Sequence, residues 1–234
     1  MGQIGLFDGM NILSKLSQQG DPLERLEKAI DWKIFMPILK RTFAKTCKSN
    51  AGRPRFDLSM MMKVLVLQHL YNLSDGQMQF QILDRYSFKR FLNISDENKI
   101  PDEKTIWLFR EDLTEAGAIE KVFERFNQAL NLAGYHAQKG MIVDASFVEV
   151  PRQRNSREEN ETIKAGAKPE SWEEEPAKDR QKDIEARWTK KNEETHFGYK
   201  NHIDVDVKNK LIRKYETTPA NVHDSQVFEN LLDP

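Results

Sequence analysis

Met141-Ile142-Val143-Asp144-Ala145-Ser146-Phe147-Val148 is an apolar stretch with a single carboxylate in its middle. Its β-branched and aromatic residues predict a strand, and its nearly continuous apolar character predicts that the strand is buried. Burying an unpaired charge costs several kcal/mol, so a chain that keeps Asp144 there either pairs it with a cation or uses it. A carboxylate on a central strand is what a two-metal phosphoryl-transfer site needs.

The sequence before this strand predicts helices only. Asp21-Pro22, Asp57 and the Ser74/Gln77 pair are helix-start signals, and Gly117 is placed as a helix stop. Apolar residues recur at helical spacing between these signals. Residues 1–20 carry little pattern and are expected to form a flexible arm, so the predicted helical domain spans residues 21–136.

A highly charged segment follows the strand. The segment of about residues 152–195 is rich in Glu, Lys, Arg and Gln and poor in aliphatic residues, which predicts a solvated insertion with a short helix near Asp183–Lys191. Strand signals return at Tyr199–Val207 and Leu211–Thr217, a predicted hairpin in which Asp204 and Asp206 face solvent. Asp224 is placed to cap a last helix.

These elements predict an α+β chain. A helical domain followed by a strand, an insertion, a hairpin and a helix corresponds to an all-helical N-terminal domain and an incomplete RNase H-like α/β catalytic core. The core occupies residues 137–234 and contains the charged insertion.

Composition excludes few classes of protein. The chain has 36 Lys and Arg against 37 Asp and Glu, so net charge does not indicate a polyanionic partner. Its single cysteine, Cys47, excludes an internal disulfide and is typical of a reducing compartment. No apolar run approaches about 18 residues, so no membrane span is predicted. We therefore expect a cytoplasmic protein.

Several sequence blocks resemble a known family, the DDE transposases of bacterial insertion sequences, specifically the insertion-sequence-five group. The resemblance covers nearly the whole chain in order. The blocks are Gly52-Arg53-Pro54, Leu70-Tyr71-Asn72-Leu73-Ser74-Asp75, Ser87-Phe88-Lys89-Arg90-Phe91-Leu92, Ile100-Pro101-Asp102, Thr105-Ile106-Trp107-Leu108-Phe109-Arg110, Val143-Asp144-Ala145-Ser146, Ala186-Arg187-Trp188-Thr189-Lys190-Lys191, His196-Phe197-Gly198-Tyr199-Lys200-Asn201-His202 and Thr218-Pro219-Ala220-Asn221-Val222-His223-Asp224-Ser225.

The resemblance implies an enzyme that binds the terminal inverted repeats of its own element, cuts them with Mg²⁺ or Mn²⁺, and joins the freed ends to target DNA. Asp144 matches the first catalytic carboxylate, which holds metal. The implied location is the bacterial nucleoid. An incomplete sheet leaves an unpaired strand edge, so we also expect a homo-oligomer.

The family's second catalytic Asp and its Glu belong to elements beyond the last predicted helix, and the sequence stops before them. Asp224 is an alternative candidate for a second metal ligand, although helix capping explains it better. The expected metal contact is weak, and whether this chain is an active enzyme stays open. The alternative function is a truncated, catalytically inactive transposase remnant that binds DNA and regulates.

Basic residues predict where DNA binds. One cluster with few intervening acids suits phosphate contacts, although a solvated helix face explains it equally well. It consists of Lys40, Arg41, Lys45, Lys48, Arg53 and Arg55. The segment Ser87–Leu113 is a candidate helix-turn-helix, with Lys104 and Arg110 facing the DNA groove.

Overall fold

The computed structural model describes residues 8–44, 54–95, 99–135, 141–179, 181–208 and 210–232. The chain divides into two compact units, Met1–Leu132 and Ala133–Pro234. The first is helical and the second is built on an antiparallel sheet, which confirms the α+β prediction. No described helix is both long and apolar enough to cross a lipid bilayer.

The first unit is a sequence of short helices. Pro37 lies in the first turn of α3, just after a 3₁₀ turn at Trp32–Phe35. The α-helices are α1 (Asp8–Gln18), α2 (Pro22–Ala29), α3 (Met36–Thr42), α4 (Leu58–Leu70), α5 (Asp75–Asp84), α6 (Tyr86–Leu92), α7 (Glu103–Glu115) and α8 (Ala118–Leu132).

Side-chain caps begin these helices where the sequence predicts them. Asp21 accepts a hydrogen bond from Leu23 N–H, Asp57 accepts one from Met60 N–H, and Ser74 and Gln77 form a reciprocal capping box. Each such cap contributes about 1 kcal/mol. The predicted starts of α2, α4 and α5 are therefore confirmed.

The prediction of a flexible arm over residues 1–20 is wrong for the part of it that the structure describes. Residues 8–18 form α1, and the Arg90 guanidinium on α6 donates to the Ser17 hydroxyl (2.8 Å) and to the Leu13 carbonyl oxygen (3.2 Å). Arg90 also pairs with Asp21, at the start of α2. One side chain thus ties α1 and α2 to the helical core.

A partly buried polar network joins α4, α5 and α7. Arg110 on α7 donates to both carboxylate oxygens of Asp75 (2.9 and 2.8 Å), and Gln68 on α4 donates to Asp75 at 2.6 Å. The bond from Arg110 lowers the pKa of Asp75, and the same pair raises the pKa of Arg110. Bidentate, charge-assisted pairs of this kind fix geometry as well as adding stability.

The second unit contains one four-stranded antiparallel sheet. The long strand β3 is its centre: β1 pairs along one edge of β3, and β2 and β4 pair with its other edge. The strands are β1 (Met141–Glu149), β2 (Arg187–Lys191), β3 (Glu194–Asp206) and β4 (Ile212–Pro219). The last helix, α11 (Asp224–Leu231), buries Val227 and Leu231 and packs against β1, β3 and β4. The predicted hairpin is confirmed as β3 and β4.

The charged segment is more ordered than its composition predicts. It contains α9 (Arg157–Lys164), a 3₁₀ turn (Glu170–Trp172) and α10 (Pro176–Asp179). Trp172 is fully buried, and its indole N–H donates to Glu159 at 2.7 Å. The predicted helix near Asp183–Lys191 is wrong, because residues 187–191 form β2 and pair with β3.

Two acids on β3 are buried, contrary to the prediction of a solvated face. Asp204 and Asp206 are both 0% exposed. They share the strand's alternation with the buried Gly198 and His202. The alternation of polar and apolar residues predicted the wrong face for these acids. The polar side chains lie on the covered face of the sheet, and the apolar Ile203 and Val205 lie on the more open face.

Gly198 sits where three strands meet. It pairs with Glu149 on β1 and Arg187 on β2, and its φ is +144°. A Cβ atom here would lie 2.2 Å from the Val148 carbonyl oxygen and 3.0 Å from the Val150 nitrogen. Only glycine fits this conformation and this close backbone approach.

Candidate active site

Asp144 lies in the middle of β1, as predicted, but it is exposed. Within the described residues β1 is an edge strand, so the predictions of a central strand and a buried carboxylate are wrong. Alternation along β1 turns Val143, Ala145 and Phe147 towards the covered face and leaves Asp144 on the other. An exposed carboxylate needs no counter-ion to be tolerated, and it is accessible to ligands.

The Asp144 carboxylate turns towards the outer edge of β1. Its Oδ1 accepts a hydrogen bond from the N–H of Ala145 at 2.8 Å. This brings Asp144 to the rim of a cleft of about 350 Å³ between β1 and α11, which is also lined by His202, Asp224, Ser225 and Glu229. Three carboxylates therefore line this cleft, Asp144 from β1 and Asp224 and Glu229 from α11.

Asp224 has a different role from the predicted helix cap. The N-cap residue of α11 is His223, whose ring accepts from Ser225 N–H. Asp224 instead accepts a hydrogen bond from Lys200 Nζ at 2.9 Å, and this ammonium lowers the pKa of Asp224. Lys200 also donates to the Val222 carbonyl oxygen at 2.8 Å, so it fixes the start of α11 against β3.

His202 forms the floor of the cleft. It is 1% exposed, its Nε2 lies 2.9 Å from the Thr218 hydroxyl, and burial lowers its pKa. A neutral imidazole next to a hydroxyl is a structural arrangement, because one group donates and the other accepts. His202 therefore joins β3 to β4 on the covered face of the sheet.

Asp204 lies farther along the same face and is poorly satisfied. Neither of its carboxylate oxygens has a hydrogen-bond partner among the described residues, and its nearest cation is Arg213, 3.7 Å away. Burial raises the pKa of Asp204. Burial therefore favours the protonated form of this carboxyl.

The described residues do not complete a divalent-metal site. No three His, Cys, Asp or Glu side chains among them lie close enough together to hold a metal ion. Asp144, Asp224 and Glu229 line one cleft, but Asp224 is already paired with Lys200. A two-metal centre needs several carboxylates around both cations, so we derive no metal-dependent step from this arrangement.

The predicted DNA-binding residues fall into three groups. Lys40, Arg41 and Lys104 are exposed on helices, and Lys45, Lys48 and Arg53 lie outside the described residues. Arg55 and Arg110 both make contacts within the helical unit, Arg55 as an exposed residue and Arg110 as a half-buried one. Arg55 donates to the Phe43 carbonyl oxygen at 2.9 Å and lies over the Phe43 ring, and Arg110 is paired with Asp75.

Sequence reasoning missed Lys200 as the residue that positions α11. A signal was available, because Lys200 alternates with His202 and Asp204 and so shares their face of β3. Its carbonyl and carboxylate partners could not be foreseen, since both come from the start of α11, more than twenty residues along the chain.

Comparison with protein families matches both units. Residues 11–112 match the model described as Transposase domain (DUF772), and residues 135–234 match the model described as Transposase DDE domain. The chain is thus a transposase with a DDE domain. No solved structure matches it.

Proposed function

We propose that this transposase belongs to the insertion-sequence-five group, binds the terminal inverted repeats of its element and target DNA, and works in the bacterial nucleoid as a homo-oligomer. Its reaction class is DNA cleavage and strand transfer with Mg²⁺ or Mn²⁺. The observation that carries this proposal is Asp144, an exposed carboxylate on the first strand of the matched DDE domain, at the rim of a cleft.

Asp144 is the proposed metal-binding carboxylate. One of its oxygens is occupied by the Ala145 N–H, and the exposed side chain leaves the group open to a hydrated cation. Carboxylate oxygens are the ligands that Mg²⁺ and Mn²⁺ prefer. A single carboxylate leaves most coordination positions to water, so the expected affinity is low.

Divalent-metal binding tests this role. We expect the full chain to bind Mn²⁺ weakly, as followed by electron paramagnetic resonance of free Mn²⁺, and Asp144→Asn to remove that binding. Asp224→Asn is the matched comparison, because Asp224 lines the same cleft and is paired with Lys200. If Asp224→Asn loses as much Mn²⁺ binding as Asp144→Asn, Asp224 is a second ligand. If Asp144→Asn binds Mn²⁺ as well as the native chain does, the proposal is contradicted.

A second function has its own support, namely a DNA-binding, catalytically inactive regulator. It is favoured by the ion pair between Asp224 and Lys200, which occupies a carboxylate that lines the same cleft as Asp144. On this basis we expect no meaningful cleavage of element-end DNA by the chain alone in Mg²⁺ or Mn²⁺. Robust cleavage that disappears in Asp144→Ala would exclude the regulator and establish the enzyme.

We propose that DNA phosphates contact the end of α3. Lys40 and Arg41 are exposed in its last turn, and Arg41 lines a cleft of about 290 Å³ that Lys121 on α8 also lines. Lys104 on α7 is a further proposed contact. Because Arg110 is paired with Asp75, phosphate binding falls to the exposed cations, Arg55 among them.

Salt dependence measures that contribution. Lys40→Ala with Arg41→Ala should weaken binding to duplex DNA of any sequence and lower the slope of log K against log salt by about 1.8. The matched control is Lys15→Ala with Arg25→Ala, which removes the same charge from exposed positions on α1 and α2. Equal slopes in the two double variants would show that the residues of α3 do not contact phosphate.

A further inference from the structure

The two faces of the sheet differ in burial. Gly198, His202, Asp204 and Asp206 alternate along β3 on the buried face. On the other face, β1 exposes Ile142, Asp144, Ser146 and Val148. Because Asp144 pairs with Ile203, those two side chains lie on the same face.

Trp188 on β2 belongs to this second face. It pairs with Phe197, which is six residues from Ile203 along β3 and therefore shares its side of the strand. The two rings are 5.0 Å apart between centroids and tilted by 39°. Trp188 is nevertheless 50% exposed, which leaves a large part of the indole open to solvent.

Two basic residues share the region of the half-exposed indole. The Arg152 guanidinium lies over the Trp188 ring, 5.2 Å from its centre. Lys190, two residues further along β2, lies on the same face and is exposed. Neither Arg152 nor Lys190 forms an ion pair with another residue that the structure describes.

We infer that Trp188, with Arg152 and Lys190, forms a stacking site for an unpaired DNA base on the sheet face that carries Asp144. A half-exposed indole covered by a guanidinium matches a nucleobase joined to phosphate, because a base can take the place of the guanidinium on the ring while Arg152 and Lys190 contact the backbone. The inference rests on the proposed DNA-binding function and adds a single-stranded contact to it.

The spacing determines which DNA tests the site. Six residues along β3 separate the positions opposite Asp144 and Trp188, which corresponds to roughly 20 Å of strand. That length equals about six base steps at the rise of one strand of B-form DNA. A duplex that ends at Asp144 would therefore need a single-stranded tail of about six nucleotides to reach Trp188.

The experiment compares a blunt duplex with the same duplex bearing a six-nucleotide tail that contains 2-aminopurine. Fluorescence anisotropy of the full chain gives both affinities, and 2-aminopurine quenching reports stacking. We expect Trp188→Ala to weaken binding of the tailed DNA by about 5- to 150-fold, to abolish quenching, and to leave blunt-duplex binding unchanged. Trp188→Phe should retain most of the effect.

Phe80→Ala is the matched control, because Phe80 is an aromatic residue that is 62% exposed on α5. It should not change either affinity. Equal losses on both DNAs in Trp188→Ala would mean that the indole only stabilises the β2–β3 pair, which overturns the inference. Unchanged binding of tailed DNA also overturns it while the proposed function stands. Failure of the unmodified chain to bind either DNA overturns both.

Discussion

Glu159 is the residue that organises the charged segment. Its carboxylate accepts hydrogen bonds from the Trp172 indole at 2.7 Å and from Ser156 N–H at 2.8 Å, and it pairs with Lys178 at 2.9 Å. These partners lower the pKa of Glu159 to about 2, the indole contributing most. A segment with few apolar residues is thus held by one carboxylate around one buried tryptophan.

The pKa of Glu159 predicts an acid-sensitive fold for this segment. Since the folded pKa, about 2, is below the ordinary value of 4.5, the carboxylate stabilises the fold fully above pH 4.5, and this is lost as the pH falls towards 2. Glu159→Gln should lower the urea midpoint of the segment at pH 7 and make it less pH-dependent between 4.5 and 2. The Trp172 indole N–H resonance follows the unfolding of the segment in urea. If the urea midpoints of Glu159→Gln and the native chain differ by the same amount at pH 7 and at pH 3, the prediction is contradicted.

Among the elements, β1 depends on Gly198 for its register. Gly198→Ala would force its Cβ against the Val148 carbonyl oxygen and would strain a positive φ. We expect a loss of about 2 to 5 kcal/mol in the stability of the sheet. Hydrogen exchange of the β1 amides measures this loss of stability. Gly76→Ala on α5 is the control, because the atom nearest to the added Cβ is a carboxylate oxygen at the flexible end of the Glu103 side chain. Native protection of β1 in Gly198→Ala would refute the requirement.

A feature could be predicted from the sequence when the interactions that produce it join residues close together in the chain. Asp57 and the Ser74/Gln77 pair start helices through bonds to N–H groups two or three residues away, so sequence alone finds them. The exposure of Asp144 is not local, because it depends on α11 covering one face of the sheet and leaving the other more open. Trp172 was missed for the same reason, since Glu159 and Lys182 reach it across the charged segment.

At the scale of the whole molecule, the helical unit has its own core. Its fully buried residues come from five of its helices and include Leu39, Val64, Met78, Phe88 and Ile106. Arg90 and the pair Arg110–Asp75 close this core with bonds internal to the unit. Each large apolar side chain buried this way contributes about 1.5 to 3 kcal/mol relative to exposure.

That self-sufficiency predicts independent folding. A fragment of residues 1–132 should keep its helical circular dichroism and unfold cooperatively in urea, because its contacts are satisfied within it. Arg110→Met in the fragment should lower the urea midpoint, whereas Lys104→Met, an exposed change on the same helix, should not. A fragment with helical signal but a broad, non-cooperative transition would show that the unit needs the rest of the chain.

Gly198 also has a genetic consequence. Every glycine codon begins with two guanines, and every missense change of a single base in either of them introduces a side chain with a Cβ atom. At Gly198 that atom meets the backbone of β1. We therefore expect any single missense mutation at the first or second base of this codon to destabilise the sheet of the encoded protein, even when the codon for Asp144 is intact.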